Sequence, residues 1–166
     1  MCRKIQVCIA YLLVFVSCCW GTNVYWDNGA GTGVWKTATN WNPDQVPGTS
    51  DMALVDLSGS HCAVDSSTTA QCNQMWVGWT ANPCYLDITG GSLSVLTTAG
   101  GGCLIGVSSG GVGIVSLSSG TVSTGGDMSI GQNAGSIGTL NMSGGTWTCG
   151  AWLYLPYQGT GRLNVL

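Results

Sequence analysis

A glycine-punctuated repeat of about 25 residues constrains the fold of this chain more than any other feature. One unit begins at Ile105-Gly106 and the next at Ile130-Gly131, and glycines and apolar residues match through both units at the same offset. The matched pairs are Gly113 and Gly138, Val115 and Leu140, Leu117 and Met142, Gly120 and Gly145, and Met128 and Leu153. Recurrence at a fixed period is typical of stacked repeats, in which each unit buries its faces against its neighbours.

Weaker copies of the unit lie on both sides of this pair. An upstream copy begins at Val77-Gly78 and places Leu86, Ile88 and Leu93 at a slightly longer offset. A downstream copy begins at Leu155-Pro156 and places Leu163 and Val165 at a slightly shorter offset. We therefore expect the repeat to extend over residues 61–166.

Each unit contains short stretches in which apolar and polar residues alternate. Leu140-Asn141-Met142, Thr146-Trp147-Thr148 and Leu153-Tyr154-Leu155 are examples, and glycine-containing segments separate them. Alternation over a few residues is the pattern of a half-buried strand. Three strands per unit predict an all-β fold, a right-handed parallel β-helix (solenoid) of about 25-residue coils stacked about 4.8 Å apart.

A β-sandwich is the alternative fold. It would need tight two-residue hairpin turns such as Asn-Gly or Asp-Gly. Asn28-Gly29 is the only such dipeptide, and it lies outside the repeats.

Two segments precede the coils. Residues 1–21 predict a signal peptide, since the basic Met1-Cys2-Arg3-Lys4 is followed by an uncharged apolar run to Cys19 and then by small residues. Cleavage after Gly21 fits this layout, and lipoprotein processing before Cys18 is the alternative. The apolar run is too short for a spanning helix, so we expect a secreted or cell-surface protein without a membrane span in its mature chain.

Residues 22–60 predict an N-terminal cap and a first strand. This segment lacks the repeat, carries Trp26, Trp35 and Trp41, and ends in the strand-like run Asp51 to Asp56. A solenoid needs its terminal edge covered, because bare strand edges recruit other chains. We expect the last coil to be open at the C-terminus, with self-association through that edge.

The opening run from Trp26 to Trp41, with Asp51 to Val55, resembles the first module of large exported β-helix proteins. The repeats at Gly113 to Thr121 and Gly138 to Thr146 are similar to those of autotransporter passenger domains and planctomycete-type surface proteins. Such proteins usually continue for hundreds of residues. The resemblance implies an exported surface protein of which this chain is a truncated product or a fragment.

Charge and cysteine content restrict the partners. Residues 22–166 keep two basic residues, Lys36 and Arg162, against seven aspartates and no glutamate, a net charge of −5 with His61 neutral. Without a basic patch, nucleic acid is not an expected partner. Five cysteines follow the signal region at spacings that fit no common zinc site, and in an exported chain they predict one or two disulfides plus a free thiol.

The acid and base residues do not predict catalysis. A polysaccharide lyase needs clustered acids for calcium with a basic residue nearby, whereas Asp65, Asp87 and Asp127 fall singly along the chain. We predict no catalytic residue, no cofactor and no metal. The expected function is a non-catalytic extracellular or cell-surface structural or adhesive role, and the alternative is a carbohydrate-binding or polysaccharide-degrading β-helix.

Trp147 and Tyr154 are the candidate ligand-binding residues. If Leu153 and Leu155 point inward, alternation turns Tyr154 outward. Outward aromatic rings stack on sugar rings, so we expect an extracellular or cell-surface polysaccharide as the partner. The other interpretation is that these aromatics fill the core or cover the corners of the coil.

Overall fold

The computed structural model describes residues 21–80 and 83–166, so the predicted signal peptide lies almost wholly outside it. These residues form a β-solenoid of about six turns, with 50% of residues in strands and 2% helical. The predicted parallel solenoid with coils of about 25 residues is therefore confirmed. Within the same ranges, no helix is long and apolar enough to cross a membrane.

Most strands have two to six residues because glycine and polar turns interrupt the coils, and two strands have 12 and 13 residues. A short 3-10 helix spans Ala38–Asn40. In chain order the strands are β1 (Asn23–Trp26), β2 (Trp41–Asn42), β3 (Met52–Val55), β4 (His61–Val64), β5 (Thr69–Cys72), β6 (Gln74–Val77), β7 (Cys84–Val95), β8 (Cys103–Ile105), β9 (Val112–Thr124), β10 (Met128–Ile130), β11 (Ile137–Met142), β12 (Thr146–Cys149), β13 (Leu153–Tyr154) and β14 (Thr160–Val165).

The strands form two seven-stranded sheets that run along the solenoid. Sheet A has the order β13-β10-β8-β6-β3-β1-β2. Sheet B has the order β14-β11-β9-β7-β4, with β5 paired to β7 and β12 paired to β9. Each coil contributes a short strand to sheet A and a longer or interrupted strand to sheet B.

Strand register confirms the repeat at the level of individual residues. Val115 pairs with Leu140, as the regular offset predicts, and Leu140 pairs with Leu163 at the shorter downstream offset. Upstream, Leu86 pairs with Val115 at the longer offset. Equivalent residues of successive units therefore lie directly above one another.

The core consists of inward-facing columns along both sheets. One column of sheet A contains Val24, Ala53, Met75, Cys103 and Met128, all at most 2% exposed. Burial of a large apolar side chain contributes about 1.5–3 kcal/mol. Because every coil adds residues to the same columns, the stack and not the single coil is the stable unit.

Glycine occupies the corner that follows three short strands of sheet A, namely β6, β8 and β10. Gly106 and Gly131 occupy this corner in consecutive coils, with φ of +69° and +80°. A Cβ atom on Gly106 would lie 2.3 Å from the carbonyl oxygen of Ile137 in the next coil. These glycines therefore permit both the turn and the close stacking of coils.

A tryptophan cluster closes the N-terminal end. Trp26 and Trp35 both pack edge-to-face on Trp41, with ring centroids 5.0 and 4.8 Å apart, and all three are buried. In sheet A, β2 lies antiparallel on the outer edge of β1. In sheet B, Val34 forms a bridge with Ala63 of β4. The segment thus pairs with the first strand of each sheet.

The cysteines act as small apolar residues of the core. Cys62, Cys72, Cys103 and Cys149 carry free thiols, so the expected disulfide among the five cysteines after the signal region is wrong. The strand positions direct these sulfurs into the apolar interior of the coil, a common environment for a free cysteine. Burial raises the pKa of Cys72 to about 12 and raises that of Cys103 further.

Candidate ligand-binding cleft

The outward face of sheet A carries a column of mainly apolar and aromatic residues. Parallel pairing places them in register from coil to coil. The column contains Tyr25, Leu54, Trp76, Leu104, Ser129 and Tyr154. Leu54, Leu104 and Ser129 are at most 5% exposed although they face away from the core, so neighbouring side chains and loops cover this face.

A cleft of about 170 Å³ lies over the C-terminal half of this column. Leu104, Ser129 and Tyr154 come from β8, β10 and β13, which are neighbours in sheet A, and form its floor. Residues that precede the strands, namely Gly100, Gly101 and Asp127, line one side. Residues that follow the strands, Gln132 and Tyr157, line the other side.

Two aromatic pairs flank the cleft. Tyr154 and Tyr157 meet edge-to-face with centroids 5.2 Å apart, and Tyr157 remains 51% exposed. One coil to the N-terminal side, Trp76 and Trp79 form a second edge-to-face pair at 5.6 Å. The indole N–H of Trp76 donates to the carbonyl oxygen of Gly101 at 3.3 Å, which holds the glycine side of the cleft in place.

One carboxylate faces the cleft. The Oδ1 atom of Asp127 accepts a hydrogen bond from the backbone N–H of Trp152 at 3.0 Å. The Oδ2 atom lies beside Gly100, where a Cβ atom would be 3.4 Å from it. The hydrogen bond from Trp152 thus fixes the carboxylate, with its other oxygen toward the glycine side of the cleft.

Ser129 supplies a buried hydroxyl without a partner. The residue is 2% exposed, and its Oγ atom has no hydrogen-bond partner in the described part of the chain. A buried polar atom left without a hydrogen bond costs about 1–3 kcal/mol. A hydroxyl at this position is therefore unfavourable for folding alone.

The structure separates the two candidate ligand-binding residues. Tyr154 lies on the outward face of sheet A, in the cleft. Trp147 pairs with Val122 on sheet B, and Val122 pairs with Leu93 in a buried column. Trp147 accordingly packs against the core, half-buried, and its indole Nε1 has no hydrogen-bond partner among the described residues. Of these two residues, only Tyr154 lines the cleft.

No sequence pattern predicted a role in binding for Ser129, Gln132 or the Gly100-Gly101 edge. Ser129 is the middle residue of Met128-Ser129-Ile130, and the same position holds Leu104 one coil earlier and Tyr154 one coil later. A polar residue within an otherwise apolar or aromatic column is the signal that marks this site. It becomes visible only when the units are aligned on the short strand of sheet A.

A second polar cluster lies on the outward face of sheet B. The imidazole of His61 stacks on Tyr85 at a centroid distance of 4.2 Å, and its Nδ1 atom lies 2.5 Å from Oδ2 of Asp87. This pair is exposed on strands rather than enclosed. Across residues 21–80 and 83–166, no three His, Cys, Asp or Glu side chains come together as metal ligands would.

Comparison of the chain with protein-family models, with curated proteins and with solved structures gave no match. The resemblance to autotransporter passengers and planctomycete-type surface proteins therefore stays a prediction.

Proposed function

We propose that this chain is a non-catalytic extracellular or cell-surface protein with a structural or adhesive role. The main support is the hydrogen bonding of the aspartate carboxylates to backbone N–H groups. Five of the seven aspartates accept a hydrogen bond from a backbone N–H. At Asp27 and Asp65 this bond lies within a turn, and at Asp51, Asp56 and Asp127 it joins segments that are 24 to 29 residues apart in sequence. Each of these five carboxylates therefore has an oxygen that supports the fold.

Asp51 and Asp65 illustrate this use. Burial would raise the pKa of Asp51, but hydrogen bonds from Thr22 and Gly48 hold it below its ordinary value. At Asp65, hydrogen bonds from Thr68 and Ser67 lower the pKa of the carboxyl. Both groups are therefore ionised acceptors at neutral pH, and neither has the raised pKa that a general acid needs.

The arrangement of the cleft favours binding over cleavage. Glycoside hydrolysis normally needs two carboxylates on either side of the scissile bond. The described cleft has one carboxylate among its lining residues, Asp127. The polysaccharide-degrading alternative thus has less support from the geometry than an adhesive role.

Deletion of the gene in the cells that produce the chain tests this proposal. We expect the deletion strain to attach less well to surfaces or to lose envelope integrity, measured by adhesion counts and detergent sensitivity. Re-expression of the wild-type chain should restore the phenotype, and protease treatment of intact cells should digest the protein. Normal adhesion and an intact envelope in the deletion strain would refute the proposed role.

A further inference from the structure

We propose that the cleft on sheet A binds one pyranose ring of an uncharged glycan. This inference rests on the proposed function only in naming a surface glycan as the source of the ring. The ring would lie against Tyr157 and Tyr154, with its hydroxyl groups directed to Asp127, Gln132 and Ser129.

The size of the cleft is suited to a single ring. Its volume of about 170 Å³ is below the roughly 300–1,000 Å³ of sites that enclose drug-sized ligands. The exposed ring of Tyr157 at the edge leaves the cleft open to solvent, so a ring within a longer chain can enter.

The aromatic side matches the apolar face of a sugar. Tyr154 holds Tyr157 edge-to-face at 5.2 Å, which orders a ring that would otherwise be mobile at 51% exposure. An ordered aromatic ring with a polar tip provides an apolar surface at low entropic cost. The axial C–H groups of a pyranose present a surface of the same kind.

The polar side matches sugar hydroxyl groups. The Oδ2 atom of Asp127 accepts hydrogen bonds, and the amide of Gln132 both donates and accepts. The Oγ atom of Ser129 is the strongest indication of a ligand, because it is buried, borders the cleft and lacks a partner among the described residues. A ligand hydroxyl would supply the hydrogen bond that the folded chain leaves unmade.

The charge of the cleft selects against acidic sugars. Its described lining holds one carboxylate and no cationic side chain. Lys36 donates to Ser67, and Arg162 lies on β14 of sheet B, so neither basic residue of the described chain borders the cleft. A uronic acid would place a second negative charge near Asp127 without compensation.

Binding is tested by saturation-transfer NMR and calorimetric titration of the purified protein. The probes are the methyl pyranosides of glucose, galactose, mannose and N-acetylglucosamine, with glucuronate as the acidic comparison. We expect saturable binding of at least one uncharged pyranoside and none of glucuronate. Absence of binding by all four uncharged probes would overturn the proposal, and so would preferential binding of glucuronate.

Three variants locate the site, and each is first shown to be folded by circular dichroism. Tyr157→Ala should weaken binding by about threefold to tenfold, the loss expected for one aromatic contact. Ser129→Ala should weaken it several-fold without lowering the melting temperature. Asp127→Asn keeps the acceptor for the Trp152 N–H and should reduce discrimination against glucuronate.

The matched control is Tyr25→Ala. Tyr25 is 39% exposed at the other end of the same outward column, and we expect this variant to bind like the wild type. Equal binding by the wild type, Ser129→Ala and Tyr157→Ala would overturn the assignment to this cleft.

If the protein binds no sugar but the deletion strain loses adhesion, the cleft assignment fails and the adhesive role stands. If the sugar binds but the deletion strain adheres normally, the adhesive role fails and the cleft assignment stands.

Discussion

At the scale of single residues, Ser129 is unfavourable for folding but suited to the proposed binding of a ligand. It lies between Leu104 and Tyr154 in its column, buried and without a hydrogen-bond partner in the described chain. Most buried polar groups in proteins are hydrogen-bonded, so an exception calls for an explanation. Binding of a hydroxyl-rich ligand provides one.

Replacement of Ser129 by alanine should stabilise the free protein. The change removes an unsatisfied buried hydroxyl and leaves little space, so we expect the free energy of unfolding to rise by about 1 kcal/mol. Urea denaturation followed by circular dichroism measures the change. Ser123→Ala, at an exposed position of sheet B, is the control, with an expected change within about 0.5 kcal/mol. A clear loss of stability in Ser129→Ala would show that the hydroxyl has a structural partner.

Gly106 and Gly110 separate two roles of glycine at the corners. Gly106→Ala should lower the free energy of unfolding by more than about 2 kcal/mol, because it adds a clash with Ile137 to the cost of a positive φ. Gly110 has a φ of +85° with no atom within 4 Å of its hypothetical Cβ, so Gly110→Ala should cost about 1–2 kcal/mol. Chemical denaturation compares the two. Equal losses would argue against the close approach of coils at Gly106.

The buried cysteines predict a loss of stability at alkaline pH. The pKa of Cys72 is raised from 9.0 to about 12 because burial disfavours the thiolate. Between these values the unfolded chain releases the proton and the folded chain retains it, so stability falls as pH rises, by up to about 1.4 kcal/mol per pH unit for each such thiol. Urea denaturation from pH 8 to pH 11 should show this slope. In Cys72→Ala the slope should be smaller, and an unchanged slope would contradict the prediction.

At the scale of elements, alternation along a strand sets the side of the wall on which each residue lies. Trp147 and Tyr154 are close in sequence, yet they belong to different strands, β12 and β13, with opposite orientations. Trp147 continues the buried column of Leu93 and Val122, whereas Tyr154 continues the outward column of Leu104 and Ser129. Strand position thus gives the two aromatics different roles.

Truncation of Trp147 should reduce stability rather than ligand binding. Trp147→Ala removes a large ring packed against the core, and we expect a loss of about 2–4 kcal/mol in the free energy of unfolding. Trp152→Ala is the control, since this side chain is 72% exposed and should change stability by less than about 0.5 kcal/mol. Thermal and urea denaturation provide the comparison. A Trp147→Ala variant that folds with normal stability but has lost sugar binding would show that Trp147 belongs to the binding site and not to the core.

At the scale of the whole molecule, stacking places residues that are one repeat apart in sequence on neighbouring strands. The cleft depends on this stacking, since its floor comes from three successive coils. The same stacking joins β1 to β3 at the N-terminal end, where Thr22 donates its backbone N–H to Asp51 at 3.0 Å, next to β3.

This contact bears on the predicted export. Cleavage after Gly21 would give Thr22 a charged α-amino group beside the ionised Asp51, a charge-assisted hydrogen bond. We expect the mature protein recovered from cells to begin at Thr22, as determined by N-terminal sequencing or mass spectrometry. Recovery of a chain that still contains residues 1–20 would contradict the predicted signal peptide.

The sequence by itself determined the fold class, the length of the coil and the pairing of Val115 with Leu140 and of Leu117 with Met142. These follow from local rules: a period of two within strands, glycine at the corners, and one repeat length that brings like residues into register. The regular offset and its shorter and longer variants therefore appear unchanged as strand pairs. The tertiary structure decided which outward residues are covered and which cysteines remain free. It also brought Ser129, Asp127, Gln132 and Tyr157 around one cleft. Those outcomes depend on how loops such as Gly100-Gly101 pack over the sheet, and no periodicity specifies that packing.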